Sequence, residues 1–215
     1  MNAQTQKQLV PGPAGPIECA VDLPPDVATP AGLALICHPN PSQGGTMDNK
    51  VVQTLARAFL HLGWRAVRFN FRGIGTSAGA WDEGRGEVDD ALAVLAALRA
   101  PGEPLILSGF SFGGYVASRA AQALVEPAQR LVLVGPATSR FDTAPVPADT
   151  VVIHGEVDDV VPLSAVFDWA RPQSLPVTVV PGVGHFFHGQ LPLLKSLVVR
   201  AFQPETRPPA VDPTR

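Results

Sequence analysis

Leu105-Ile106-Leu107-Ser108-Gly109-Phe110-Ser111-Phe112-Gly113-Gly114 is the stretch whose reading decides the fold. Its first residues form a continuous apolar run, the pattern of a strand buried on both faces. After the turn, Tyr115-Val116-Ala117-Ser118-Arg119-Ala120 reads as a helix. A strand, a sharp turn and a helix are the setting in which Gly109-Phe110-Ser111-Phe112-Gly113 carries chemical meaning. To lift its hydroxyl above the sheet, Ser111 must adopt a strained backbone conformation, which crowds the residues two before and two after it. Gly109 and Gly113 meet that demand. The first helical N–H groups point back toward the serine and favour an oxyanion there. Two glycines around a serine also recur by chance, so the reading depends on partners farther along the chain.

A serine hydroxyl is a poor nucleophile until a base accepts its proton, and the base needs a carboxylate to fix its tautomer. On a parallel sheet these partners come after the serine in the order acid, then histidine, in loops at the carboxyl ends of later strands. His154-Gly155-Glu156-Val157-Asp158-Asp159-Val160-Val161-Pro162 and Pro181-Gly182-Val183-Gly184-His185-Phe186-Phe187-His188 both occupy such places. The candidates are Ser111, Asp158 and His185. Asp159, and behind it Glu156, compete for the acid, since adjacent loop residues cannot both aim at one imidazole. The carboxylate left over is solvated or caps the helix that Pro162 opens. His188 belongs to the pocket rim or to solvent, His61 to the surface, and His154 to hydrogen bonding beneath the acid loop. An oxyanion hole needs two N–H donors. Phe112 supplies one by position. The loop after Leu33-Ala34-Leu35-Ile36-Cys37 supplies the other, and because Pro39 and Pro41 have no N–H, the second donor is Asn40. His38 reads as a brace for that loop.

Outward from this centre, Gln8–Val10 and Ile17–Leu23 flank a Pro/Gly turn and form an antiparallel opening. Asp48 is placed to N-cap a helix with Val51, Val52, Leu55, Ala56, Phe59 and Leu60 on its apolar face, ended by Gly63. Arg65–Phe71 is the next strand, and Arg72–Ser77 leaves it as a flexible loop. Glu87–Leu98 is a helix with Glu87, Asp89 and Asp90 in its first turn. Strands at Leu131–Val134, Val151–Ile153 and Val177–Val180 alternate with helices at Pro162–Trp169 and Leu191–Phe202. This predicts an α/β fold, a mostly parallel doubly wound sheet with an antiparallel N-terminal strand. Between the strands at Leu131 and Val151 there is no room for an inserted lid. A single domain is expected over 1–203, with a flexible Pro-rich tail over 204–215.

The 215 residues, 46% hydrophobic and only 16% charged, suit one globular domain rather than a disordered chain. A net charge of −3 gives no reason to expect a nucleic-acid partner or an anionic membrane surface. The N-terminal residues lack the apolar core of a signal peptide, and no run is long enough to cross a membrane. A cytoplasmic location is expected, with Cys19 and Cys37 reduced and buried. Nothing has the spacing of metal ligands, and Arg72-Gly73-Ile74-Gly75 lacks the rest of a phosphate loop, so no metal or cofactor is expected. Phe110, Phe112, Phe186 and Phe187 flank the candidates and either wall a pocket or pack in the core. Trp81 is a rim candidate. No motif fixes the oligomeric state.

With these residues in place the chain resembles the α/β-hydrolase superfamily, and within it the small lid-less bacterial hydrolases grouped with dienelactone hydrolases and short-chain carboxylesterases. The likeness is carried by His38–Pro41, Gly44–Lys50, Phe69–Ser77, Gly109–Gly114, His154–Pro162 and Gly184–Gly189. It implies Ser111 as nucleophile, Asp158 as acid and His185 as base. His38-Pro39-Asn40-Pro41 is similar to the family's His-Gly-Asn-Pro loop, with Pro39 where Gly is usual and Asn40 keeping the donor position. Dienelactone hydrolases proper use a cysteine nucleophile. Serine here points instead to ordinary small esters, cleaved through an acyl-enzyme. A thioesterase or acyltransferase would use the same residues, and a non-catalytic binding protein would use the fold alone.

Overall fold

The computed structural model describes residues 5–25 and 27–203. The apolar run at its centre, β5 (Leu105–Phe110), is buried along its whole length. In chain order the other strands are β1 (Gln6–Val10), β2 (Ile17–Asp22), β3 (Leu33–Cys37), β4 (Arg65–Phe69), β6 (Arg130–Val134), β7 (Val151–Gly155) and β8 (Thr178–Val180). They form one sheet in the order β1-β2-β4-β3-β5-β6-β7-β8. β2 is antiparallel to both β1 and β4, and every other pairing is parallel. Among the described residues a single strand therefore runs against the rest.

Alternation along each strand sends neighbouring side chains to opposite faces. Leu33, Leu35, Leu105 and Leu107 meet α2 (Arg85–Leu98) and α3 (Phe112–Ala123) on one side. Ala34, Ile36, Ile106 and Phe110 meet α1 (Lys50–His61) and α5 (Leu191–Ala201) on the other. A smaller cluster forms under α4 (Leu163–Ala170) around Val152, Val161 and Val166. The β6–β7 connection carries no helix. It is tied down by Ala144 N–H donating to Ser118 Oγ (3.0 Å) and Trp169 Nε1–H donating to Thr143 O (3.1 Å). Among the described residues the sheet's carboxyl edge carries no lid.

Some local details differ from the sequence reading, each for a physical reason. Asn49, not Asp48, caps α1, its Oδ1 accepting from Val51 N–H at 2.8 Å. Asp48 is drawn away by Arg68, a buried cation on β4 that also pairs with Asp22. α2 starts at Arg85 because Glu87 folds back to accept from Gly84 N–H (2.8 Å) and Asp82 N–H (3.0 Å). Asp90 serves no helix terminus. It takes Arg72 Nη2 at 2.8 Å and Arg72 N–H at 3.0 Å. With Ser77 Oγ donating to Asn70 O (2.7 Å), this makes the loop after β4 a bonded structure rather than a flexible one. Pro162 precedes α4 as its N-cap instead of opening it. Cys19 and Cys37 are free and buried. Burial, with the nearby Glu18 charge, pushes the Cys19 thiol up to about 12, so it stays protonated and inert. The tail over 204–215 lies outside the described residues.

Candidate active site

Where β5 meets α3, Ser111 sits at φ 57° and ψ −119°, in the region that side chains avoid. Holding a non-glycine residue there costs about 1–3 kcal/mol, so the surroundings must over-determine it. Ser111 N–H donates to Val134 O (2.9 Å), and its carbonyl accepts from Gly114 N–H (2.9 Å) and Ala137 N–H (3.2 Å). A Cβ on Gly109 would stand 2.0 Å from Gly113 O. One on Gly113 would stand 2.1 Å from Cys37 O, so the second glycine is required by the end of β3 rather than by Gly109.

The loop after β7 places Asp158 behind the histidine. Its Oδ1 accepts from Val160 N–H (2.9 Å) and Val161 N–H (2.7 Å), and its Oδ2 from His185 Nδ1 (2.6 Å). A carboxylate only accepts, so His185 carries its hydrogen on Nδ1 and keeps Nε2 for another proton. Burial raises the Asp158 pKa, but the bonds from His185 and Val161 outweigh it and leave the carboxyl below its usual range. The imidazole is fixed in orientation by Phe110 (centroids 4.8 Å apart) and by the edge of Phe186 (5.1 Å).

His154, fully buried under this loop, donates Nε2–H to Val161 O at 2.9 Å. Its Nδ1 has no hydrogen-bond partner among the described residues. Burial holds its pKa low, against the pull of Asp158. Asp159 lines the neighbouring hollow instead of meeting His185. Glu156 accepts from Gly182 N–H (2.8 Å) and so ties the acid loop to the histidine loop. His188 and His61 are exposed.

On the opposite wall, Asn40 Oδ1 accepts from Ser42 N–H and Ser42 Oγ (both 2.9 Å), while its carbonyl accepts from Gln43 and Gly45. Among the described residues the Asn40 and Phe112 N–H groups donate to no backbone carbonyl. His38 accepts from Phe71 N–H on Nε2 (3.0 Å) and donates from Nδ1 to Pro39 O (2.7 Å), which fixes a neutral tautomer. Burial pushes its pKa down to about 4. The same loop is clamped farther on. Asn70 Oδ1 accepts from Met47 N–H (2.9 Å), and Arg68 Nη1 donates to Met47 O (3.1 Å). Sequence reasoning misses this clamp, although both of its stretches, Gly44–Lys50 and Phe69–Ser77, stand out there. Arg68, an arginine inside the strand with apolar Val67 and Phe69 on either side, is the available signal.

Ser111, His185 and Asn40 line one small cleft of 150 Å³ with Val160 and Phe186, and Asp158 closes it from behind. Of the four phenylalanines, Phe110, Phe112 and Phe187 are core residues, whereas Phe186 is 43% exposed. Trp81, partly buried at the margin of the core, packs on Phe112 with ring centroids 5.0 Å apart. Among the described residues no group of three or more His, Cys, Asp or Glu is placed to hold a metal ion, and no helix is long and apolar enough to cross a membrane.

Residues 30–149 match the family model described as serine aminopeptidase, S33. A lid-less α/β serine hydrolase from Xanthomonas campestris is 43% identical, with a TM-score of 0.84 over 94% of each chain. An α/β serine hydrolase homologue from Coxiella burnetii is 37% identical, with a TM-score of 0.79 over 92% of this chain and 97% of that one. An uncharacterized protein of Rickettsia prowazekii (strain Madrid E) is 31% identical over 172 residues, 73% of this chain and 72% of that protein. From the matched family, these relatives and the single reversed strand of an otherwise parallel sheet, the chain belongs to the α/β-hydrolase superfamily and resembles its small lid-less bacterial serine hydrolases.

Proposed function

We propose that this chain is a carboxylesterase that cleaves small short-chain esters through an acyl-enzyme on Ser111. The observation that carries the reading is the 2.6 Å contact of Asp158 with His185, an imidazole that shares its small cleft with a serine held in a left-handed turn. Ser111 Oγ attacks the ester carbonyl while its proton passes to His185 Nε2. The resulting oxyanion takes the Phe112 and Asn40 N–H groups. As the tetrahedral intermediate collapses, His185 returns the proton to the leaving alcohol. Water then repeats the sequence on the acyl-enzyme and releases the acid. Asp158 keeps the hydrogen on Nδ1 and stabilises the imidazolium at each stage. Each oxyanion donor contributes about 2.7–4 kcal/mol in enzymes where it has been removed.

Preference for short acyl groups rests on the size of the cleft and the absence of a lid over it. A cytoplasmic location is supported by two thiols that remain unpaired. A series of para-nitrophenyl esters from acetate to decanoate tests the reading. The highest kcat/KM is expected between acetate and butanoate, with at least a tenfold fall by octanoate and a burst of one nitrophenol per Ser111. Equal turnover of long chains would overturn the short-chain preference. Faster transfer to an added thiol or alcohol than to water would make the chain an acyltransferase.

A further inference from the structure

Phe186 is the meeting point of three hollows. One is the cleft at Ser111. A second, of 390 Å³, is walled by Thr46, Lys50, His188 and Leu191 and shares Gly44, Asn49 and Phe186 with the first. The third, of 490 Å³, shares His185, Phe186 and Val160 with the cleft and contains Asp159. His185 must hand its proton to the leaving alcohol, so that alcohol belongs in the hollow that His185 itself lines. The far end of the acyl group is left with the hollow beside α1.

The two spaces differ in charge. The leaving-group side offers Asp159, which repels anions, and no Lys or Arg. The acyl side is lined by Asp48 and by Lys50, and Lys50 is exposed and has no ion pair among the described residues. Its neighbour Asp48 is engaged by Arg68 at 3.1 Å. Resting on the esterase reading, we propose that the hollow beside α1 is an acyl subsite in which Lys50 binds an anionic end group. The favoured substrates are then short esters whose acyl part ends in a carboxylate, that is, half-esters of small dicarboxylic acids. Phe186 separates this anionic end from the departing alcohol, and His188 stands at the mouth with its ring 5.8 Å from that of Phe186.

The experiment compares mono-para-nitrophenyl glutarate with para-nitrophenyl pentanoate, which share a leaving group and differ in the charge at the acyl end. The readout is the ratio of the two kcat/KM values within each protein, corrected for spontaneous hydrolysis, so that a variant's general loss cancels. The wild type should prefer the glutarate about fivefold, the scale of a partly exposed ion pair. The ratio should fall toward one in Lys50→Gln, recover in Lys50→Arg, and decline in the wild type as salt is raised. Pentanoate turnover with no glutarate preference, or a preference that ignores Lys50 and salt, overturns the subsite and leaves the esterase reading standing. A preference that appears only with the anion on the alcohol, as in para-acetoxybenzoate against phenyl acetate, overturns the acyl assignment. Failure to hydrolyse any of these esters overturns both readings.

Discussion

Asp158 divides its two oxygens between loop and imidazole, Oδ1 for the Val160 and Val161 N–H groups and Oδ2 for His185. In Asp158→Asn the amide can present a donor to Nδ1, so the imidazole loses the tautomer that leaves Nε2 free. A fall of about 10⁴ in kcat is expected, with Asp159→Asn costing far less. Steady-state kinetics on one short ester checks it, and equal losses in the two variants would reassign the acid. Spacing alone narrows the acid to neighbours but does not choose between them. The choice depends on which side chain the turn folds inward, and the two Val N–H bonds decide that. His38 yields a pH prediction. Its folded pKa, about 4, lies below its ordinary value of 6.5. Between those values the unfolded chain binds a proton that the folded chain refuses, so stability falls as pH drops through this window and is retained above it. The loss is at most about 1.4 kcal/mol per pH unit for one such group, and His154, depressed for the same reason, adds to the slope. Urea midpoints at pH 7 and pH 5 should show the fall, with a shallower slope in His38→Asn. A wild type equally stable at both would contradict it.

At the level of elements, the site depends on two connections, the turn from β5 into α3 and the loop from β3 to α1. Gly109→Ala puts a methyl group against the Gly113 carbonyl, a backbone atom that cannot swing away. A loss of about 1–3 kcal/mol is expected from such overpacking, measured by chemical denaturation and accompanied by loss of esterase activity. The β3–α1 loop is held through Arg68, whose guanidinium joins Asp22, Asp48 and the Met47 carbonyl. Arg68→Met leaves Asp22 buried without a counter-charge and should destabilise by about 3–5 kcal/mol. A smaller effect, within about 1 kcal/mol, would show the clamp to be dispensable. The apolar runs make the strands legible, because burial on both faces leaves a compositional trace. The α1 cap is not, because Asp48 and Asn49 are equally able to cap and the choice falls to Arg68, distant in sequence. The loop after β4 looks flexible from its glycines, yet Asp90, Glu18 and Ser77 bind it through side chains that local sequence does not reveal.

In the molecule as a whole, one reversed strand among the described residues, β2, lies between β1 and β4 in an otherwise parallel sheet. Its carboxyl edge gathers the loops bearing Asn40, Ser111, Asp158 and His185. This assembly is legible because open parallel sheets present their chemistry at that edge in a fixed chain order. Phe186 and Lys50 give no comparable signal, since the space they shape exists only after the loops pack. If Ser111 is an activated nucleophile, intact-mass analysis after fluorophosphonate treatment registers it without any knowledge of the substrate. The wild type should gain one adduct per chain, and folded Ser111→Ala should gain none. An adduct that persists in Ser111→Ala, or none on the folded wild type, would rule out an activated nucleophile at Ser111.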